Sequence, residues 1–316
     1  MSTICITCTG GIKNTGKSYK EKPFGYDKGL YLVPLNADDG TRNFLDLNAS
    51  DMDAELLGKL NNTDPSKRWY LLDDLQDVTS ITGDATFETS ATDERSNVRN
   101  GIKNYDMMIW DATHKYYKQL RGGPCVDFGI VRLDECGNML GETNADQSEF
   151  YPREVRRASY NDKYVDRLPG ATSKIHINFD FARSTNDAFQ VMLSADSFPD
   201  LNPYLVRSML DVKFDITVDS ATELTVKASF LFGSLNQEIP ALGLETQDTN
   251  FDIVASVTGI SVGSPSGIAT TGTDGTYTFT IPAVTSATVY DFDYFKAATA
   301  ERENGFEGVP VTFIAQ

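Results

Sequence analysis

Apolar and polar residues alternate strictly along much of this chain. "KIHINFDFA" puts Ile175, Ile177, Phe179 and Phe181 on one face and Lys174, His176, Asn178 and Asp180 on the other, the period of a half-buried antiparallel strand. "DVKFDITVD" repeats the pattern through Val212, Phe214, Ile216 and Val218, and "ELTVKASFLF" through Leu224, Val226, Ala228, Phe230 and Phe232. Shorter runs, "GLYLVPL", "DATFETS", "FGIVRL" and "FQVML", stand between Gly, Asn, Asp and Pro turn signals, as expected for further strands. Helical spacing is confined to two segments. "NASDMDAELLGKLNN" carries Met52, Leu56, Leu57 and Leu60 behind Ser50 or Asp51 as cap, and "DATHKYYKQLRGG" carries Tyr116, Tyr117 and Leu120 behind Thr113, with Gly122 and Gly123 as a stop. Two helices lying across many strands predict a mainly β fold, not a doubly wound α/β one.

The last hundred residues change character. Lys and Arg nearly vanish, Thr, Ser, Gly and Val take over, and short strands recur in "NFDIVASV", "GISVGS", "TYTFTIPAV", "TVYDFDYF" and "VPVTFIAQ". That texture predicts a β-sandwich. In "TDGTYTFTI", Gly275, Tyr277 and Phe279 resemble the Gly-x-Tyr-x-Cys of immunoglobulin-like domains, with Phe279 where the cysteine would stand. The expected division is a β domain over 1–240 and an Ig-like β-sandwich over 241–316, with strands from Asp211 onward open to either side. A chain of 316 residues accommodates two domains.

Charge narrows the range of functions. The chain carries 45 Asp and Glu against 28 Lys and Arg, a formal net charge of −17. Residues 211–316 alone hold 14 acids and 4 Lys or Arg. Such a field argues against wrapping nucleic acid as a specific ligand, which requires clustered cations, and suits a surface that DNA slides past. No apolar run approaches a membrane span, and no charged-then-apolar leader precedes the first glycines, so the expectation is a soluble protein made in a cytoplasm.

Candidate chemistry is sparse. "GIKNTGKS" fits the P-loop spacing through Gly11, Gly16, Lys17 and Ser18, but Pro23, Gly25 and Gly29 follow too soon for the helix that such a loop must open. The match reads as chance, and no cofactor is expected. Cys5 and Cys8 have the spacing of a zinc knuckle, yet Cys125 and Cys136 are eleven positions apart and do not complete it, so reduced thiols are expected and no metal. His114 and His176 lack a local nucleophile and acid. Paired acids such as Asp73 with Asp74, or Asp291 with Asp293, have the makings of a general acid and base, but Asp291 and Asp293 share one strand face and follow from alternation without catalysis. One segment, "YPREVRRASYNDKYVDRLPG", interleaves Arg and Tyr. Its residues Arg153, Arg156, Arg157, Tyr160 and Tyr164 are candidates for contacts between subunits, a role that favours both residue types.

A β-rich body, few helices, an acidic balance and an appended Ig-like domain together resemble the bacteriophage major tail tube proteins. The stretch "FETSATDERSNVRNGIKNYDMMIWDATHKYYKQL" carries much of that likeness, and "ICITCTGGIKNTGKS" leading to "KGLYLVPLNADD" is similar to tail proteins of phages infecting Bacteroidetes. The resemblance implies a structural, non-enzymatic virion protein, assembled in the host cytoplasm. Its copies would form stacked rings, hexameric in that family, around a lumen through which DNA passes without specific binding, alongside other tail proteins and away from membranes. The loops "NADDGTRNFLDLNASD" and 151–170 are then candidates for contacts between rings. A neck, tail-terminator or capsid-decoration protein is the alternative within the virion, and a P-loop nucleotide-binding protein the remote one.

Overall fold

The computed structural model describes residues 24–84, 86–89, 95–99, 101–121, 126–182, 189–207, 209–231, 240–242, 251–258, 260–270, 274–297, 305–309 and 311–315. Half the chain is strand and 9% helical, with two α-helices, so the protein is mainly β as the alternation predicts. It divides into compact units, Met1–Val206 and Arg207–Gln316. The division falls ahead of the expected 240/241 boundary because the strands from Asp211 onward supply core to the second unit.

In chain order the first unit contains β1 (Asp27–Pro34), β2 (Leu45–Asp46), α1 (Met52–Leu60), β3 (Tyr70–Leu72), β4 (Leu75–Thr82), β5 (Thr86–Thr89), β6 (Arg95–Arg99) and β7 (Lys103–Trp110). There follow α2 (His114–Leu120), β8 (Phe128–Asp134), β9 (Met139–Thr143), β10 (Glu149–Tyr151), β11 (Arg153–Glu154), β12 (Asn161–Val165), β13 (Lys174–Asp180) and β14 (Gln190–Leu193). A large sheet runs β2-β10-β9-β8-β1-β3, with β11 added to β8 and β14 to β9. A second, four-stranded sheet runs β12-β13-β7-β4, antiparallel throughout.

β1 and β8 explain the layering. In β1, Leu30 and Leu32 face one apolar cluster while Tyr31 and Val33 face another; in β8, Phe128 and Ile130 oppose Val131 and Leu133 in the same way. Both strands are apolar on both faces, and so read as nearly continuous hydrophobic runs instead of alternating ones. On one side the four-stranded sheet contributes Tyr105, Met107, Ile109, Ile175, Ile177 and Phe179. On the other side α1 lays Leu56 and Leu60 beside Trp69 and Phe198. Asp51 caps α1 by accepting the Ala54 amide at 2.9 Å, one of the two caps anticipated from the sequence. Thr113 caps α2 through the Tyr116 amide at 3.1 Å.

The second unit comprises β15 (Leu210–Ser220), β16 (Glu223–Phe230), β17 (Phe251–Ala255), β18 (Ile260–Gly263), β19 (Gly267–Thr270), β20 (Thr276–Thr280), β21 (Val289–Lys296), β22 (Phe306–Gly308) and β23 (Val311–Ile314). Its core is an aromatic cluster. Phe251 lies 4.2 Å from Tyr294 and 4.8 Å from Phe279, ring centre to ring centre, and Phe214 lies 5.2 Å from Phe292. Phe279 thus fills by packing the place where a cysteine would have been stapled. Tyr277 donates its hydroxyl to the Ala241 carbonyl at 2.6 Å, tying a strand to a loop. Gly275 is obligatory beside it: its φ is +77°, and a Cβ there would meet the Ala228 carbonyl oxygen at 2.4 Å.

The β8–β9 turn depends on one buried carboxylate. Asp134 accepts the Cys136 and Asn138 amides at 2.9 Å each, the Asn138 side-chain amide at 2.7 Å and the Gly25 amide at 3.0 Å. Asp134→Ala strands these donors, and the expected loss is about 3 kcal/mol from the first unit. Both tryptophans, Trp69 and Trp110, belong to that unit, so urea unfolding followed by tryptophan fluorescence measures it. A loss under about 1 kcal/mol would mean that water replaces the carboxylate.

Candidate functional site

The four-stranded sheet has one face on the core and one turned away from it. Alternation puts Lys174, His176, Asn178 and Asp180 of β13 and Asn104, Asp106, Met108 and Trp110 of β7 on the outer face, where the ladder pairs Asp180 with Asn104, Asn178 with Asp106 and His176 with Met108. These side chains bond to one another in a continuous ladder. Asn104 donates to Asp180 at 3.1 Å and exchanges amide bonds with Asn178 at 3.2 and 3.1 Å. Asn178 also donates to Asp106 at 3.1 Å. Nε2 of His176 lies 2.7 and 2.9 Å from the two Asp106 oxygens; since a carboxylate only accepts, that nitrogen carries the hydrogen.

The chemistry available there is limited. His176 has Met108 and Lys163 as its cross-strand neighbours and Asp106 has Asn178 and Thr79, so the Thr79 hydroxyl stands across from the carboxylate and not from the imidazole that would have to activate it. The outer face balances Asp106 and Asp180 against Lys163 and Lys174, and its amides are largely engaged with one another. Net charge on this face is near zero; the acidic surplus of the chain is concentrated in residues 211–316.

Both outer strands of the sheet, β4 and β12, end it without a further strand among the described residues. β4 is bulged between Gln76 and Thr79, with Asp77 at φ +50°. A bulge increases local twist and breaks the regular repeat of free amides.

The Arg/Tyr segment divides between interior and surface. Arg153 is buried: it pairs with Glu142 at 3.3 Å, donates to Gln190 at 3.3 Å and lies over the Phe181 ring at 4.6 Å. It is committed within the subunit and offers a neighbour no charge. Tyr160 packs edge-on against Phe128 at 5.5 Å, and Tyr164 packs against His114 at 4.4 Å while donating to the Ala112 carbonyl. Arg156 and Arg157 are exposed, Arg157 at 3.8 Å from Asp127. Of the five expected contact residues, these two present charge at the surface. Sequence alone gave no sign that Arg153 turns inward, because a two-residue strand has no period to read.

Gly11, Gly16, Lys17, Ser18, Cys5, Cys8 and Cys125 lie outside the described residues. Cys136 is disulfide-bonded, which corrects the expectation of a reduced thiol there. No group of His, Cys, Asp or Glu among the described residues is arranged to hold a metal, and no helix among them is long and apolar enough to cross a membrane. A cavity of 520 Å³ lies beside β4, lined by Asp27, Lys28, Asp77, Arg132 and Glu135. Within this lining Arg132 grips Asp27 through two bonds of 2.9 and 2.6 Å.

Comparison with family models, curated proteins and solved structures finds no match to this chain.

Burial opposes ionisation of both partners of the inner ion pair: it raises the Glu142 carboxyl and lowers the Arg153 guanidinium, each against the pull of the other. Such a pair is held by geometry and is sensitive to loss of one member. Arg153→Ala is therefore expected to destabilise the first unit by about 3–5 kcal/mol, and the double change Arg153→Met with Glu142→Leu by much less. Because Glu142 is raised when folded, its contribution to stability falls as pH rises from the ordinary glutamate range through the raised value; Glu142→Gln should remove that slope. Equal losses for the single and double variants in urea titrations would show that the charge pairing is irrelevant.

Proposed function

We propose that this chain is a structural virion subunit whose copies join through the four-stranded sheet into stacked rings, hexameric as in the tail tube proteins it resembles, that enclose a conduit for DNA. The observation that carries it is the open sheet itself. One face is fixed to the core, the other is a half-exposed ladder of amides and balanced charges, and neither edge carries a further strand among the described residues. Edges of this kind are a liability in an isolated subunit and are satisfied when neighbours continue the sheet.

The outer face suits a lumen that DNA crosses without adhering. Tight phosphate binding needs unpaired Lys or Arg in clusters, whereas here Lys163 and Lys174 are offset by Asp106 and Asp180. The second unit, which carries most of the net negative charge because Lys and Arg are scarce in it, would decorate the outside, and no catalytic role is assigned to either unit. Assembly would take place in the host cytoplasm, with other tail proteins as further partners.

Negative-stain electron microscopy of the purified protein, with and without Mg-ATP, tests this reading. Hollow rings or stacked tubes indifferent to nucleotide are expected; closed rings that never stack would favour a neck or terminator role, and monomers whose melting temperature responds to Mg-ATP would favour a nucleotide-binding protein. A proline scan makes the edge specific. Successive amides of a strand point to opposite sides, so proline at one of Ser80 and Ile81 breaks a bond to β7 while at the other it blocks only the free edge. The second kind of variant should keep its melting temperature and lose its rings. Rings that survive both substitutions would exclude β4 from the assembly.

A further inference from the structure

The two edges at which the four-stranded sheet ends among the described residues carry opposite charge. Across β4 and its flanks the chain holds Asp73, Asp74, Asp77 and Asp84, with no Lys, Arg or His between positions 73 and 84. Across β12 and its flanks it holds Arg156, Arg157, Lys163 and Arg167 against Asp162 and Asp166. Asp162 shares its register position with Ile177, on the core side of the sheet. Asp74, Asp77, Asp84, Arg156, Arg157, Lys163 and Arg167 are all exposed. A local surplus of base is unexpected in a chain with 45 acids and 28 bases.

The ladder registers align these charges across the sheet. Leu75 pairs with Ile109, Ile109 with Ile175, and Ile175 with Tyr164, so Asp73 and Asp74 lie at the same end of the sheet as Arg167. Gln76 pairs with Met108, Met108 with His176, and His176 with Lys163, which puts Gln76 in the row of Lys163 and Asp77 next to it, at the start of the bulge. At the other end Thr82 pairs with Lys103, the Phe181 amide bonds to the Lys103 carbonyl, and Phe181 bridges to Val155; Asp84 and Arg156 therefore share that end. Direction agrees as well. Four strands that alternate in direction leave β4 antiparallel to β12, so another copy's β12 continues the alternation when set beside β4.

We propose that copies of this chain join head to tail, β4 of one against β12 of the next, with the acidic and basic edges selecting this contact. This rests on the ring reading above and adds which edges meet and what selects them. Pairing of like edges would oppose Asp74, Asp77 and Asp84 to themselves, or the arginines to themselves, and like charges across an interface suppress the wrong partner. A contact between two different edges of the same subunit is heterologous, the kind that generates rings when its rotation closes.

Two full-length variants test the assignment. One reverses the basic edge with Arg156→Glu, Lys163→Glu and Arg167→Glu. The other reverses the acidic edge with Asp74→Asn, Asp77→Asn, Thr79→Lys and Asp84→Lys; asparagine is used at 74 and 77 because both residues have positive φ, 54° and 50°. Melting temperatures followed by tryptophan fluorescence establish that each variant folds. Each alone should raise the protein concentration needed for ring assembly by roughly 100-fold, as read by light scattering and electron microscopy. An equimolar mixture should assemble again, since each acidic edge then meets a basic one, in rings that alternate the two variants. Rings formed by either variant alone at the wild-type concentration would overturn the edge assignment while leaving the ring reading intact, and so would folded variants whose mixture fails to assemble while the wild type succeeds. Wild-type protein that stays monomeric at every concentration and salt would remove the ring reading and this proposal with it.

Discussion

The architecture of the first unit depends on the β1–β8 pair being apolar on both faces. A sheet with one apolar face needs one covering layer; these central strands need two, and the chain supplies them as a four-stranded sheet on one side and α1 with its neighbouring loops on the other. The consequence for function follows from the same constraint. The covering sheet satisfies β1 and β8 with only one of its own faces, which leaves its other face and both edges outside the core. The polar ladder of Asn104, Asp106, His176, Asn178 and Asp180 occupies that remaining face.

Much of this was legible from period alone. Strict alternation in "KIHINFDFA" named the core face of β13 correctly, since Ile175, Ile177, Phe179 and Phe181 are all buried. Apolar spacing and capping residues located both helices. Less was legible where a feature depends on what lies across the fold. Alternation showed that His176 and Asn178 share a face, but pairing with Asp106 is a property of β7, some seventy residues earlier. The inward turn of Arg153 depends on Glu142 and Phe181, which no local pattern connects to it. Strands from Asp211 onward stay open to either domain in the sequence for a related reason: β15 and β16 alternate like the strands before them, and only packing with Phe251, Phe279 and Phe292 assigns them to the second unit.

Charge has to be read by location as well as by total. A net charge of −17 suggests an acidic surface everywhere, yet the outer face of the four-stranded sheet is balanced and one of its edges is basic. The acid that accounts for most of the imbalance lies in residues 211–316. In the proposed conduit, electrostatic repulsion of DNA would therefore be weaker than the composition suggests. The exposed amides of the face already bond to each other and to Asp106 and Asp180, which leaves few donors for phosphate.

The bulge in β4 bears on how an open edge can be safe and specific at once. A long, regular edge accepts any strand in several registers, and that promiscuity leads to aggregation. Here the repeat is interrupted between Gln76 and Thr79, in the rows of Met108 and Asp106, so a partner strand that slips by two residues loses its match to the interruption. Exposed ion pairs are individually worth only about 0–1 kcal/mol, too little to hold two subunits together. In the proposed contact their role would be selection: with the bulge limiting register and charge limiting partner, the backbone ladder would supply the attraction only where both conditions are met.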